Sequence, residues 1–346
     1  MSWINEVGPS SDIILSSRVR LARNLADTPF PTAMDKEEMD TVIQRVRRGI
    51  LGSHSDLKDD YQFLIIKDLS PVDREILVEK HLASPDLIKN YKSSAILVDK
   101  VQVCSIMVNE EDHIRLQCIF PGNRLKDALE YLQKVDDTLD AELPYAFDDG
   151  LGYLSCCPTN LGTGMRASIM MHLPALAATG QMKGIISTLP KVGMAVRGLY
   201  GEGSEAGGDI FQISNQITLG ASEEEIIGSL EAIVGQVLEK ERQTRRAMAE
   251  HDRVRFEDGI WRAYGTITHA KVMDLNEFMD LLSKVRLGVE MGIIPDIDIS
   301  SINGLMILGQ PAHLKKYEKD YADIKDLDIL RAKIISKKLR DRKEGA

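Results

Sequence analysis

The sequence lacks any apolar run approaching the ~20 residues that a bilayer span requires, so no transmembrane segment is expected. Its first residues, Met1-Ser2-Trp3-Ile4-Asn5-Glu6-Val7, have neither a basic start nor an apolar stretch, and no secretory leader is read there. Cysteine is scarce: four in 346 residues, two of them adjacent, with no framework spacing and no paired C-x-x-C pattern. A disulfide scaffold is therefore not expected, and the usage points to a reducing, cytoplasmic compartment. Basic residues are in deficit, 43 Lys and Arg against 53 Asp and Glu, for a net charge of -10. That disfavours a non-specific nucleic-acid binder, because phosphate contacts need a basic face. Internal repeats and low-complexity linkers are missing too. No Lys-Ser or Lys-Thr follows the glycines at 162 and 164, which excludes a P-loop. What remains is an ordinary composition, 43% hydrophobic and 28% charged, in a chain long enough for two domains.

The chain is organised around Ser155-Cys156-Cys157-Pro158-Thr159-Asn160-Leu161-Gly162-Thr163-Gly164-Met165-Arg166. Gly152-Tyr153-Leu154 before it reads as the end of a buried strand. Ala167 to Leu173 after it reads as an apolar helix closed by Pro174. A strand, a glycine loop and a helix N-terminus in that order would present backbone N–H groups to an anion. The ordinary account is a tight connection beside an inert cysteine.

Elsewhere, Arg18 and Arg20 stand two apart, on one face if residues 12–22 form a strand. Helical spacing marks 36–50, and Phe63 to Ile66 reads as a strand. A helix follows from Pro71 towards His81, started by Ser70. Val101 to Val108 and His113 to Phe120 read as strands joined by the turn Asn109-Glu110-Glu111-Asp112. A helix is expected over 124–139. Val192 to Gly198 reads as a strand ending in the glycine-rich stretch 200–208, and Phe211 to Leu219 as another. Ser222 with Glu225 forms a capping box for a helix reaching about Glu250. Asp274 with Glu277 starts a later helix, and 300–309, 312–317 and 326–342 are mostly helical in pattern. A domain boundary is placed near 254, giving 1–254 and 255–346.

Arg18, Arg20, Arg115, Arg166 and Arg197 each fall at a strand end or beside a loop. Guanidinium forks bind phosphate oxygens bidentately and keep their charge, which suits phosphoryl transfer. Glu111 and Glu202 fall in loops beside two of these arginines. Two carboxylates could grip a guanidinium acceptor, orient one nitrogen and take its proton. Taken singly, each arginine reads as a surface residue and each glutamate as turn solvation.

The stretches Ser16-Ser17-Arg18-Val19-Arg20, Asn109 to Arg115, Cys157 to Thr163, and Arg197-Gly198 with Gly201-Glu202 resemble, in order and spacing, the motifs of the phosphagen kinases. The resemblance implies an α+β fold: an antiparallel β-sheet flanked by helices, as in phosphagen kinase and glutamine synthetase-like catalytic domains, followed by a C-terminal all-helical domain. It implies ATP as phosphoryl donor, with Mg2+ held by phosphates and water and no protein metal ligand. It assigns Arg18, Arg20, Arg115, Arg166 and Arg197 to the nucleotide phosphates. Glu111 and Glu202 go to the guanidinium, Cys157 stands beside it, and His81 lies near the adenine.

The chain departs from the phosphagen kinases in having Ser16 near its start, so that no preceding small-substrate domain is expected, in Met170 four after Arg166, and in Gly203 after Glu202. In these respects it is similar to the bacterial protein-arginine kinases. That similarity implies phosphorylation of exposed arginines on proteins, marking them for a Clp-type protease under stress. An activator protein and a homodimer or larger oligomer are also implied. Leu327-Asp328-Ile329-Leu330-Arg331-Ala332 resembles that family's phosphoarginine-reading motif with leucine replacing its first arginine, and so assigns Asp328 and Arg331 to such a site. The ordinary account of this pair is a local ion pair on one helix face. A kinase for free guanidino compounds and an inactive adaptor remain the alternative readings.

Overall fold

The computed structural model describes residues 3–52, 56–198, 206–317 and 326–341. Ten strands occur there: β1 (Ile14–Arg23), β2 (Tyr61–Ile65), β3 (Ala95–Asp99), β4 (Cys104–Val108), β5 (Ile114–Pro121), β6 (Phe147–Asp148), β7 (Gly152–Tyr153), β8 (Met165–His172), β9 (Met194–Gly198) and β10 (Ile210–Asn215). Eight of them form one sheet in the order β2-β3-β4-β5-β1-β8-β10-β9, and β6 pairs with β7 in a small ribbon. The pairs β2/β3, β3/β4, β4/β5 and β5/β1 are antiparallel. Helices flank the sheet, and the described residues beyond 223 are helical apart from their connections. This is the α+β architecture that the sequence resemblance implies.

Two compact units emerge from the distribution of contacts: Met1–Trp3 with Ser16–Ile169 and Ser214–Glu231, and Ile4–Leu15 with Met170–Ile213 and Ala232–Ala346. In the first, β3 is buried at all five positions. Ile96 and Val98 from β3 join Ile66, Leu87 and Met107 in one apolar cluster. Each fully buried Ile or Leu there contributes about 1.5–3 kcal/mol of transfer free energy, as an upper bound. In the second unit, Arg245 donates to Glu241 and Glu290 at 2.8 and 2.6 Å, while Arg286 pairs with Glu290. Neutralisation by two guanidiniums keeps the Glu290 carboxyl below its ordinary pKa although burial raises it.

Several local signals act as read. Ser70 caps Pro71–Glu79 by accepting from the Asp73 amide, and Ser222 and Glu225 form a reciprocal box at the start of Glu223–His251. Asp274 caps Leu275–Glu290. The segment after Arg166 corrects the expectation: residues 167–172 continue β8 and are all buried. An apolar run covered on both faces has no periodicity to separate strand from helix. Gly152–Tyr153 is likewise a half-buried two-residue ribbon rather than the end of a buried strand.

With no helix at Ala167, the expected helix N-terminus for an anion is also absent there. The glycines of that loop answer to close backbone approach instead. Gly162 has φ +98°, and a Cβ on it would lie 2.2 Å from the Thr218 carbonyl oxygen; Gly164, at φ +65°, would meet the Ala22 oxygen at 2.7 Å. Gly162→Ala is expected to destabilise this unit by at least ~1–3 kcal/mol, from left-handed strain with the clash in addition. A urea melt should show a lower midpoint at unchanged slope; an unchanged midpoint would contradict the close packing.

Candidate active site

Strand pairing gathers the arginines. In the β1/β5 register Arg18 lies opposite Ile119, Arg20 opposite Gln117 and Ala22 opposite Arg115. Directly opposed residues share a face, so Arg18, Arg20 and Arg115 project together while Val19, Leu21 and Leu116 point into the core on the other side. Arg166 at the start of β8 completes the group, its Nη2 donating to Ser214 Oγ at 3.1 Å. Burial, followed by repulsion from Arg18, Arg115 and Arg166, holds the Arg20 pKa well below its ordinary value. The buried Arg20 Nε has no hydrogen-bond partner among the described residues. Converging guanidiniums with an unsatisfied donor form a site of strong positive potential, suited to a polyanion.

At the turn after β4, Glu110 proves as important as Glu111. Its buried carboxylate accepts from Arg115 Nη1 at 2.6 Å through one oxygen and from Ser84 Oγ at 2.6 Å through the other. Glu111 reaches Arg115 Nη1 at 3.2 Å, and its side chain is 40% exposed. Burial alone lowers the Arg115 pKa, but Glu110, Glu111 and Asp112 raise it above its ordinary value. Glu111 is thus the carboxylate open to a ligand, and Glu110 fixes the turn beneath it. Sequence reasoning missed Glu110, since two adjacent turn glutamates look equivalent until one is seen to be buried.

The loop before β8 supplies the cysteines. Asp112 accepts from the Cys156 amide and the Asn24 side chain, both at 2.7 Å, tying this loop to the Glu111 turn. Burial and the Asp112 carboxylate push the Cys156 thiol up to about 12, so it stays protonated at neutral pH. Cys157 Sγ lies 3.0 Å from Thr159 Oγ1 at the head of the short turn Pro158–Asn160. Cys157→Ser is expected to lower transfer by about two- to five-fold without abolishing it, because a positioning hydrogen bond is worth ~0.5–1.5 kcal/mol and a hydroxyl preserves part of it. Steady-state rates check this, and a trapped phosphocysteine would contradict it.

His81 sits in a left-handed turn at φ +59°. Its ring packs on Trp3 with centroids 5.5 Å apart, and its carbonyl accepts from Gln117 Nε2 at 2.7 Å. Burial and the nearby Arg18 charge depress its pKa to about 3, so the imidazole is neutral. The remaining expected site residues are Arg197, Glu202, Asp328 and Arg331. Arg197 is exposed on β9. Glu202, with Gly201 and Gly203, lies outside the described residues. Arg331 is 2% exposed and donates to the carbonyls of Gly309 and Met273 at 2.8 Å each and to Asp328 at 2.6 Å. It pins the helix Leu327–Arg340 to its neighbours, and Asp328 is its half-buried partner. Among the described residues no group of three His, Cys, Asp or Glu side chains is placed to hold a metal ion, and no helix is long and apolar enough to cross a membrane.

Residues 41–244 match the ATP:guanido phosphotransferase C-terminal catalytic domain. Lombricine kinase superposes on 69% of this chain and 70% of its own, with a TM-score of 0.58 and 24% identity. The duplicated taurocyamine kinase of Schistosoma mansoni gives 0.58 and 27% identity over 66% of this chain and 33% of its own. Fold and site thus define an ATP:guanido phosphotransferase. Residues 253–346 match the protein-arginine kinase McsB C-terminal domain. The protein-arginine kinase of Caldanaerobacter subterraneus subsp. tengcongensis is 47% identical over 328 residues, covering 95% of this chain and 97% of the relative. That of Geobacillus stearothermophilus is 45% identical over 339 residues, covering 98% and 93%. The chain belongs to the protein-arginine kinase family.

Proposed function

We propose that this protein transfers the γ-phosphoryl group of ATP to arginine side chains of other proteins. The observation that carries the reading is the juxtaposition on one sheet face of Arg18, Arg20, Arg115 and Arg166 with the open carboxylate of Glu111. The guanidiniums hold the triphosphate and offset the charge that develops on the departing β-phosphate oxygen. Mg2+ would accompany the nucleotide, bound through its phosphate oxygens and water rather than through protein ligands, and would supply further charge neutralisation. Glu111 accepts hydrogen bonds from the acceptor guanidinium and orients one nitrogen in line with the γ-phosphorus. That nitrogen forms the P–N bond as the bond to the β-phosphate oxygen breaks, ADP departs, and the nitrogen's proton passes to a carboxylate. Glu111 and Glu202 are the two groups that the family resemblance assigns this role, and Cys157 helps to position the guanidinium.

Near full-length likeness to relatives named for arginine on proteins favours a protein acceptor over free arginine. The same likeness supports a cytoplasmic enzyme that works as a homodimer or larger oligomer with an activator protein, and whose product directs substrates to a Clp-type protease under stress. It also supports Asp328 as the accessible half of a phosphoarginine-reading pair, with Arg331 beneath it. Incubating the protein with MgATP and either free arginine or an arginine-rich protein, then reading phosphoarginine by mass spectrometry at neutral pH, tests the central claim. Turnover of free arginine with no labelled protein would overturn it.

A further inference from the structure

A cavity of about 790 Å3 opens beside Glu111, entirely within the first compact unit. It falls in the ~300–1,000 Å3 range of ligand clefts and is far larger than a guanidinium needs. Glu110, Glu111 and Cys156 line one part; Pro31, Thr32, Met39, Tyr91, Lys89 and Lys92 line the rest. Its walls are preformed. Asn109, buried and left-handed at φ +58°, donates from its amide to the carbonyls of Met39 and Ser93 at 3.0 Å each, joining two sides of the cavity. Ser84 caps the turn Pro85–Lys89 and donates to Glu110. The basic wall is therefore anchored to the carboxylate that holds the catalytic turn.

Charge is segregated within the cavity. Glu110 is committed to Arg115, which leaves Glu111 as its open acid. The opposite sign comes from Lys92, exposed and without an ion pair among the described residues, and from Lys89. Among the described residues Lys89 pairs only with Asp86 one helical turn away, at 2.7 Å, with the two side chains 74% and 64% exposed, a contact readily exchanged for another carboxylate.

We infer that this cavity receives the stretch of substrate protein flanking the acceptor arginine, and that Lys92 with Lys89 selects stretches carrying Asp or Glu beside that arginine. The inference rests on the reading of the chain as a protein-arginine kinase and names the substrate class within it. An arginine presented to Glu111 brings its neighbouring residues along the cavity, where a carboxylate meets ammonium groups and a lysine is repelled. Exposed pairs of this kind are each worth up to about five-fold in affinity. Two lysines together should favour acidic over basic flanks by about ten-fold, with the preference shrinking at high salt.

The test uses the full chain, MgATP and peptides of equal length holding one arginine flanked by Asp/Glu, Ser/Gly or Lys. Phosphoarginine is read by neutral-pH mass spectrometry. Wild type should give a kcat/KM ratio near ten for acidic over basic flanks, and Lys89→Glu/Lys92→Glu should bring that ratio below one. A ratio near one in wild type, or the same ratio in the double variant, would overturn the inference while leaving the kinase reading standing. No phosphoarginine on any peptide or protein would overturn both.

Discussion

Glu111→Gln is expected to lower phosphoryl transfer by roughly 10²–10⁴-fold, the range for losing a positioned acid–base group. Nucleotide affinity should stay within about three-fold of wild type. The amide preserves size and can still accept a hydrogen bond, so only charge and proton acceptance are lost. The structure makes this separation of effects credible. Arg115 keeps its 2.6 Å bond to Glu110 whether or not Glu111 is charged, so the phosphate-facing arginine is not released. Single-turnover transfer alongside calorimetric titration with a non-hydrolysable nucleotide checks both halves. Near-normal transfer would remove Glu111 from the catalytic role, and a large loss of nucleotide affinity would place it on the wrong substrate.

Arg20→Ala should show the opposite pattern, together with a stability change of unusual sign. Removing a charged donor from the triphosphate is expected to weaken nucleotide binding by about ten- to hundred-fold, from ~1.5–3 kcal/mol per charged hydrogen bond. It should slow transfer as well, since that charge counts most in the transition state. Yet Arg20 is half-buried, faces three like charges and has an unpartnered Nε. The ligand-free protein should therefore melt no lower without it, and by up to a few degrees higher, as at other functional sites where activity opposes stability. Thermal melts with and without nucleotide test this. An arginine held for structural reasons would give a lower ligand-free melting temperature with nucleotide protection intact.

Much of this site could be read from strand parity. Arg18 and Arg20 at even spacing belong to one face, and the turn between β4 and β5 followed from its residue types. Arg23, odd in the same count, falls on the opposite face and is buried in the structure. Three things were not legible. Ala95 to Val98 is too short an apolar run to announce β3, although it is central to the core. The run 167–172 carries no period because both its faces are covered. Glu110 and Glu111 differ only in depth, which depends on a contact with Ser84 that lies 26 residues away.

Arg23 also governs the loop that carries Cys156 and Cys157. Its Nε and Nη2 grip Asp136 on the helix Leu125–Asp140, its Nη1 donates to the Thr163 carbonyl, and its guanidinium lies 3.5 Å from the Tyr153 ring centre. One buried cation therefore clamps the loop at its entry, Tyr153, and near its exit, Thr163. The conformational entropy of that wall is surrendered once, during folding, rather than at each encounter with a substrate. An acceptor arginine then meets a surface already in place, and its binding energy is left for alignment of the reacting nitrogen.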